Sequence, residues 1–391
     1  MAGALDGIKI LELASYVTGP FAAMLCADLG ASVIKIEAPG QGDPFRGWAH
    51  EGYSPTFCSM NRNKRSLALN LQAPEGKAIF LKLAHNADVI IENMRPGIVD
   101  RLGIGYEATR ALNPRIIYCS ISGFGQDGPY KDRPGYDTIG QAMGGLLSVL
   151  TDLDHPSGVG ISIADHVTGV FACYGILAAL LARERTGKGQ KVETSLLQAS
   201  IAFASENAAR YLATGQTPRK ENRLRLAQVY AFVAGDGLPF VIHLSSPQKF
   251  WQGLADVVGH PDWKEDPRFV NKEAREKSYD LLSGLLREIF QTKPRAHWLE
   301  LLEARDVPAA PLMTLDEVFA DPQVRHLGME TELRHPKMGS VRLAGSGIRL
   351  SETPVRIADA PPLLGEQSDA ILKEAGLPPE EIAELRQKGV I

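Results

Sequence analysis

Cysteine is scarce in this chain, with four in 391 residues. Cys26, Cys58, Cys119 and Cys173 all fall in the first 173 residues, with no C-x-x-C spacing, which excludes a disulfide framework. Three stand in or beside apolar runs, where a free thiol acts as a small hydrophobe, and a reducing cytoplasm is the expected compartment. An excess of one charge is also lacking. Lys and Arg number 42 and Asp and Glu 46, for a net charge of −4, and without a basic run no nucleic-acid partner is expected. Long apolar runs are missing too. Val170 to Ala182, the longest, would extend about 20 Å as a helix, short of a bilayer core. Met1 to Gly7 lacks the charged-then-apolar pattern of a secretory signal, so no membrane partner is expected.

Several catalytic signatures are absent. The loop after the first apolar run holds one glycine, Gly19, and no G-x-G-x-x-G. A pyrophosphate then has no close approach to the following helix, and NAD and FAD are excluded despite an acid, Glu37, where a ribose ligand would fall. The nine histidines are scattered without H-E-x-x-H or a Cys/His cluster, so no metal is expected. G-x-S-x-G does not occur either.

What is present is ordinary globular composition, 44% hydrophobic and 23% charged, with 38 glycines and 25 prolines to turn the chain. The first third alternates strand and helix. Strands are expected at Ile8–Leu13, Ser32–Glu37, Ser66–Asn70, Asp88–Glu92, Arg115–Ser122 and Lys191–Ser195. Helices are expected from Thr18 towards Leu29, at Pro74–Ala84 and at Tyr106–Leu112, then over Tyr136–Leu150 and Asp165–Arg185. This rhythm predicts an α/β fold with a parallel, doubly wound sheet and ligands at the carboxyl ends of its strands. Gly215 to Arg225 reads as a polar linker. Val229–Ala234 and Phe240–Leu244 flank Gly235-Asp236-Gly237, a hairpin signal. Helices around Pro247–Val258, Lys272–Phe290 and Arg295–Glu303 complete a small α+β unit, and two short helices, Ser368–Ala375 and Pro378–Lys388, end the chain.

Three features carry candidate chemistry. Gly158 to His166 is an apolar run ending in Asp165 at the mouth of a very apolar helix. The ordinary role of such an Asp is an N-cap; the reactive one is a nucleophile beside unpaired amides that hold oxyanion charge. Arg46, Arg62, Lys64, Arg65, Arg95 and Arg101 cluster in loops, either solvated or aimed at a phosphorylated ligand. Gly123 to Pro129 is a plain turn or a ligand-covering wall.

Taken together, these segments resemble the class III CoA-transferase family, which includes formyl-CoA:oxalate and carnitine CoA-transferases. The carriers are Gly19-Pro20, Gly30 to Glu37, Asn63-Lys64-Arg65-Ser66, Asp88 to Asn93, Pro96-Gly97 and Arg133-Pro134-Gly135-Tyr136-Asp137. The Asp165 segment, Arg185 to Gln190 and Pro362-Leu363-Leu364-Gly365-Glu366 complete the set. The resemblance implies a Rossmann-like large domain built from both chain ends, residues 1–200 and 311–391. It also implies a linker helix and loop at 201–225, a small α+β domain at 226–310, a linker within 311–391 before the return to the large domain, and an interlocked, ring-like homodimer.

For function, the resemblance implies transfer of CoA from an acyl-CoA to a carboxylic acid, with Asp165 as nucleophile. The route is a mixed aspartyl anhydride followed by an aspartyl-CoA thioester. No cofactor is bound permanently; the CoA thioester is a substrate, and succinyl-CoA is a reasonable first donor. Tyr16, Val17 and Thr18 match the loop facing the thioester, Asn93, Met94 and Arg101 the segment holding CoA, and Tyr136 a pocket-wall aromatic. Val17 replaces the Gln of formyl-CoA transferases, Ala38 an Arg and Pro134 a Lys, and their tetraglycine loop is absent. Oxalate and formyl-CoA are therefore poorly supported substrates. The alternative is an α-methylacyl-CoA racemase, which needs a His in the R-x-G-H-D position. Tyr136 stands there, and a Tyr of ordinary pKa, about 10, is a poor base at neutral pH.

Overall fold

The computed structural model describes residues 2–48, 54–245, 247–335 and 337–391. The chain divides into two compact units. One comprises Met1–Leu147, Gly158–Ala209 and Arg325–Ile391; the other comprises Ser148–Ser157 and Arg210–Val324.

In the first unit, short Val/Ile-rich runs make six strands: β1 (Lys9–Glu12), β2 (Ser32–Glu37), β3 (Lys64–Ala68), β4 (Val89–Glu92), β5 (Ile117–Ser122) and β6 (Lys191–Ser195). All pair in parallel, in the order β3-β2-β1-β4-β5-β6. Every residue of β4 and β5 is buried, as a sheet covered on both faces requires. One face packs Leu11, Ile90 and Tyr118 against Phe80; the other packs Ile10, Val33 and Ile91 against Ile176. Strand β3 starts two residues ahead of its expected position, because Lys64 pairs with Val33.

Other expectations need correction. The helix read over Tyr136–Leu150 is two, Asp137–Met143 and Leu146–Leu150, broken at a glycine pair in which Gly145 takes φ +81°. The polar segment Gly215–Arg225 is not all loop: a helix, Lys220–Ala227, starts inside it and runs past its end, and Asn222 Oδ1 accepts the Arg219 amide at 2.6 Å to start that turn. The apolar run judged too short for a bilayer belongs to a 24-residue helix, Ile163–Thr186, which is long and apolar enough to cross a membrane by length and composition. Its inner residues Ala172, Cys173, Ile176 and Ala179 join the sheet core beside the Thr18–Asp28 helix. All four cysteines are buried free thiols.

A cluster of buried charge lies beneath the turn from β1 into the Thr18–Asp28 helix. Lys35 Nζ sits 2.7 Å from Glu12 and 2.9 Å from Asp43, and Lys64 Nζ 2.7 Å from the other Glu12 oxygen, with all four side chains fully buried. Lys35 also donates to the Ala14 carbonyl and Lys64 to the Pro20 carbonyl, both at 2.8 Å. Burial works against the Lys35 ammonium, but Glu12, Asp43 and Glu37 outweigh it and hold its pKa above the usual value. Lys64 faces fewer anions, and burial pushes it down to about 8. The turn itself tolerates no side chain at Gly19, where a Cβ would stand 2.2 Å from that of Ala14.

Most of the loop cations are internal. Arg46 pairs with Glu37 and Arg62 with Asp28, and Arg65 reaches Glu374 across 309 positions of sequence. Glu37 accepts from Arg46, Ser66 Oγ and the Asp43 amide. Burial raises its pKa, but Arg46, Lys35 and Ser66 reverse the shift and leave it below the usual carboxylate range. The carboxyl-terminal segment returns to β3: Asn63 Oδ1 accepts the amides of Ala358 and Asp359, and Ser66 Oγ accepts that of Gly365.

The second unit holds an antiparallel sheet of β7 (Val229–Val233), β8 (Pro239–His243) and β9 (Ala309–Pro311). Its core gathers Phe240, Trp251, Phe269, Phe290 and Trp298. Arg225 pairs there with Asp280 at 2.8 Å.

Lys35→Met would leave the buried Asp43 carboxylate without its ammonium and Glu12 with Lys64 alone, and a loss of about 3–5 kcal/mol is expected. Arg65→Met, at a partly exposed pair, should cost about 0–1 kcal/mol. Urea unfolding of the two variants checks the contrast, and equal losses would contradict it.

Candidate active site

The strand order reverses between β1 and β4, and the crevice outside the carboxyl ends of those strands is where an open α/β sheet binds ligands. A cleft of about 240 Å³ occupies that position. The β1 loop contributes Tyr16, Val17 and Thr18, the β4 loop Asn93 and Met94, and the opposite wall Tyr136 and Asp165. Seven of the eight residues singled out from the sequence thus meet in one cleft. Arg101 does not: it is exposed on the Ile98–Leu102 helix, outside the lining.

The β1 loop is held from two sides. Asn93 Nδ2 donates to the Ser15 carbonyl at 2.7 Å, and its Oδ1 accepts the Ser15 amide at 3.0 Å. From below, Asp43 Oδ1 accepts the Tyr16 amide at 3.3 Å. Tyr16 itself is left-handed, φ +66°, a cost that surrounding contacts must offset. Its ring meets Phe45 and Tyr136 edge-on at centroid distances of 5.4 and 6.2 Å. Burial, then the neighbouring Tyr136, raises its phenol pKa.

Asp165 is the third residue of the Ile163–Thr186 helix, so the N-cap expectation is corrected: Ser162 holds the cap position and makes no side-chain cap bond. The Asp165 amide donates instead to Asp137 Oδ1 at 3.1 Å, and the Ile163 amide to the Ile161 carbonyl at 2.9 Å. Two of the amides expected to be open to an oxyanion therefore already have partners. One turn on, Gly169 lets the helix close against the first: a Cβ there would lie 2.9 Å from both the Thr18 carbonyl and the Phe21 ring. That approach brings Asp165 beside the β1 loop. Among the described residues its carboxyl oxygens accept no hydrogen bond. Burial, and then the charge of Asp137, push its pKa up to about 7. His166 turns away, with Nδ1 2.7 Å from the Ser162 carbonyl and its ring against Phe21.

The Gly123–Pro129 segment opens a loop whose residues Gly123, Lys131, Arg133 and Pro134 wall the cleft. Lys131, Arg133 and Arg95 bring cations to it; in the sequence only Arg95 stands out as a candidate ligand cation, and Arg133 only as part of the family pattern. The signal is position, since Arg95 lies just beyond the carboxyl end of β4 and Lys131 and Arg133 lie in the long loop that follows β5. A cleft with a desolvated carboxylate on one wall and exposed cations around it suits an anionic ligand with a reactive acyl group.

The family model for CoA-transferase family III matches residues 5–368. Among curated proteins, the succinyl-CoA:glutarate CoA-transferase of Mus musculus is 37% identical over 95% of this chain and 86% of its own length. The acetyl-CoA:oxalate CoA-transferase of Acetobacter aceti is 38% identical over 96% of this chain and 97% of its own. A crystal structure of a CaiB/BaiF family protein from Brucella suis superposes with a TM-score of 0.86 and 34% identity, covering 96% of this chain and all of that one. The chain belongs to CoA-transferase family III and is an enzyme that transfers CoA.

Proposed function

We propose that the protein transfers CoA from a short acyl-CoA to a carboxylic acid through covalent intermediates on Asp165. The observation that carries this reading is the Asp165 carboxyl itself, desolvated and, among the described residues, without a donor, in a cleft at the sheet's switch point. A carboxylate stripped of water and left unpaired is a far better nucleophile than a solvated one.

One Asp165 oxygen attacks the thioester carbonyl, the C–S bond breaks, and CoA leaves as thiolate from a mixed anhydride. The thiolate then attacks the Asp165 γ-carbon, releasing the donor acid and leaving an aspartyl-CoA thioester. The acceptor carboxylate attacks that carbon and expels the thiolate, which takes the acceptor's acyl carbon and restores Asp165. Both intermediates are open to hydrolysis, so water must be kept from them. The mobile part of the reaction is the thiolate, and Arg95, Lys131 and Arg133 support retention of an anionic CoA through all four steps. Succinyl-CoA is proposed as donor, in line with the succinyl-CoA-dependent relative, and the cytoplasm as compartment. Tyr136 in the R-x-G-H-D position supports transfer over racemisation.

A homodimer belongs to the same reading. Val170, Tyr174 and Leu181 line one face of the Ile163–Thr186 helix, each more than half exposed, an apolar stripe that a second copy would cover. An interlocked pair of rings would sediment at twice the 42.4 kDa chain mass and would not exchange subunits with a tagged copy below its unfolding temperature. A monomer, or free exchange, would contradict it.

Incubation with succinyl-CoA and hydroxylamine should leave a hydroxamate on Asp165, located by peptide mass spectrometry, and Asp165→Asn should abolish both adduct and transfer. Transfer by that variant at the wild-type rate would sink the nucleophile reading, and α-deuteration of the acyl group in heavy water without transfer would favour racemisation. The pH dependence has a definite sign. Transfer needs the carboxylate, so its rate should climb through about pH 7. The folded pKa lies above the ordinary carboxyl value of 3.8, so the folded state binds the extra proton between these values and loses stability as pH rises across that window. Asp165→Asn should therefore raise Tm at about pH 8 and leave it unchanged near pH 3; a lower Tm at the higher pH would contradict the placement of charge.

A further inference from the structure

The Asp137–Met143 helix buries an amide side chain that the transfer chemistry does not use. Gln141 is 1% exposed and does not line the cleft. Its Nε2 donates twice, to Asp137 Oδ2 at 2.6 Å and to the Ile161 carbonyl at 3.1 Å, while its Oε1 is buried without a partner among the described residues. An unsatisfied buried carbonyl is costly, and a leucine would fill the same space without that cost. What the amide provides is a link between two pieces of chain. Ile161 sits two residues before the helix that carries Asp165, and Asp137 Oδ1 accepts the Asp165 amide at 3.1 Å. Since Ser162 supplies no side-chain cap, the first turn of that helix is capped from outside by Asp137, one turn along its own helix from Gln141. Gln141 thus grips the entering chain with one hydrogen and the capping carboxylate with the other.

We propose that Gln141 is a positioning residue for CoA transfer: acting through Asp137, it fixes the first turn of the Asp165 helix and hence the line along which the Asp165 carboxylate meets the thioester. This rests on the reading of Asp165 as nucleophile. Attack on a carbonyl is sensitive to direction, and a displacement of about 1 Å can cost about 100-fold in rate. Gln141 makes no contribution to the cleft wall, so its loss should spare binding of the acyl-CoA.

The test follows acylation of Asp165 by succinyl-CoA in single turnovers of the full chain, measuring the rate constant and the half-saturating concentration, with Tm for each variant. Gln141→Glu keeps the shape but sets a second carboxylate against Asp137, and Gln141→Leu removes the donor without adding charge. For both, the acylation rate should fall about 10- to 100-fold while half-saturation stays within about twofold. The double substitution Gln141→Glu/Asp137→Asn reverses the donated hydrogen bond and leaves an oxygen at position 137 for the Asp165 amide. It should recover at least about tenfold over Gln141→Glu alone, a coupling that only linked residues show. Wild-type rates in both single variants, or parallel loss of rate and affinity with no recovery in the double, would overturn the proposal. Asp165→Asn in the same series separates the two claims. If it is silent while the Gln141 variants react normally, only the positioning role fails; if it still transfers CoA, the nucleophile fails and the positioning role with it.

Discussion

Two ammonium groups sealed against two carboxylates under the first βα turn hold the cleft in shape. Lys35 and Lys64 are buried with Glu12 and Asp43, an arrangement whose desolvation is offset only when nearly every donor and acceptor is used. Here the surplus valences go to the backbone of the turn: Lys35 to Ala14, Asp43 to Tyr16, Lys64 to Pro20. The charges therefore act less as a source of stability than as a template. They pin the chain at three points along seven residues and keep Tyr16 in its left-handed conformation, while Asn93 holds Ser15 from the β4 side. Gly19 and Gly169 then let the two helices close until Asp165 faces that turn.

Two carboxylates of the same domain show how environment divides labour. Glu37 ends β2 with an arginine fork, a hydroxyl and an amide on its oxygens, and its charge is stabilised so well that it serves only to hold Arg46, Ser66 and Asp43 in place. Asp165, at the mouth of its helix, receives no donor among the described residues and faces a second acid. The first arrangement buries charge at rest. The second keeps a carboxylate at high free energy, as the nucleophile we propose requires.

Much of this was legible in the sequence, for identifiable reasons. Buried parallel strands are written as short Val/Ile runs, so all six strands of the sheet could be placed, β2 and β6 at their observed bounds. Asp165 was marked by its abrupt arrival after an apolar run. Its place in the helix was not, because the residue that caps the first turn is Asp137, 28 positions earlier, and no local pattern shows a cap supplied from another helix. Lys64 reads as a loop cation and Lys35 as an ordinary strand residue, since sequence periodicity cannot tell a solvated ammonium from one facing Glu12 across a sheet. Gly144-Gly145 were absorbed into a long helix because propensity penalises such a pair only mildly, while the observed break follows from the positive φ at Gly145. Lys131 and Arg133 were not legible as cleft cations, because what unites them with Arg95 is the switch point, a property of strand order.

The central claim is that Asp165 exchanges oxygen with both acids as CoA passes between them, and isotope transfer tests this most directly. With an acceptor acid labelled with ¹⁸O in its carboxylate, attack on the aspartyl-CoA thioester and return of the thiolate leave one acceptor oxygen on Asp165. The next turnover hands that oxygen to the donor acid. After a single turnover the Asp165 peptide should carry one ¹⁸O, and after many the released donor acid should carry it. A labelled acyl-CoA product beside an unlabelled Asp165 would contradict the account.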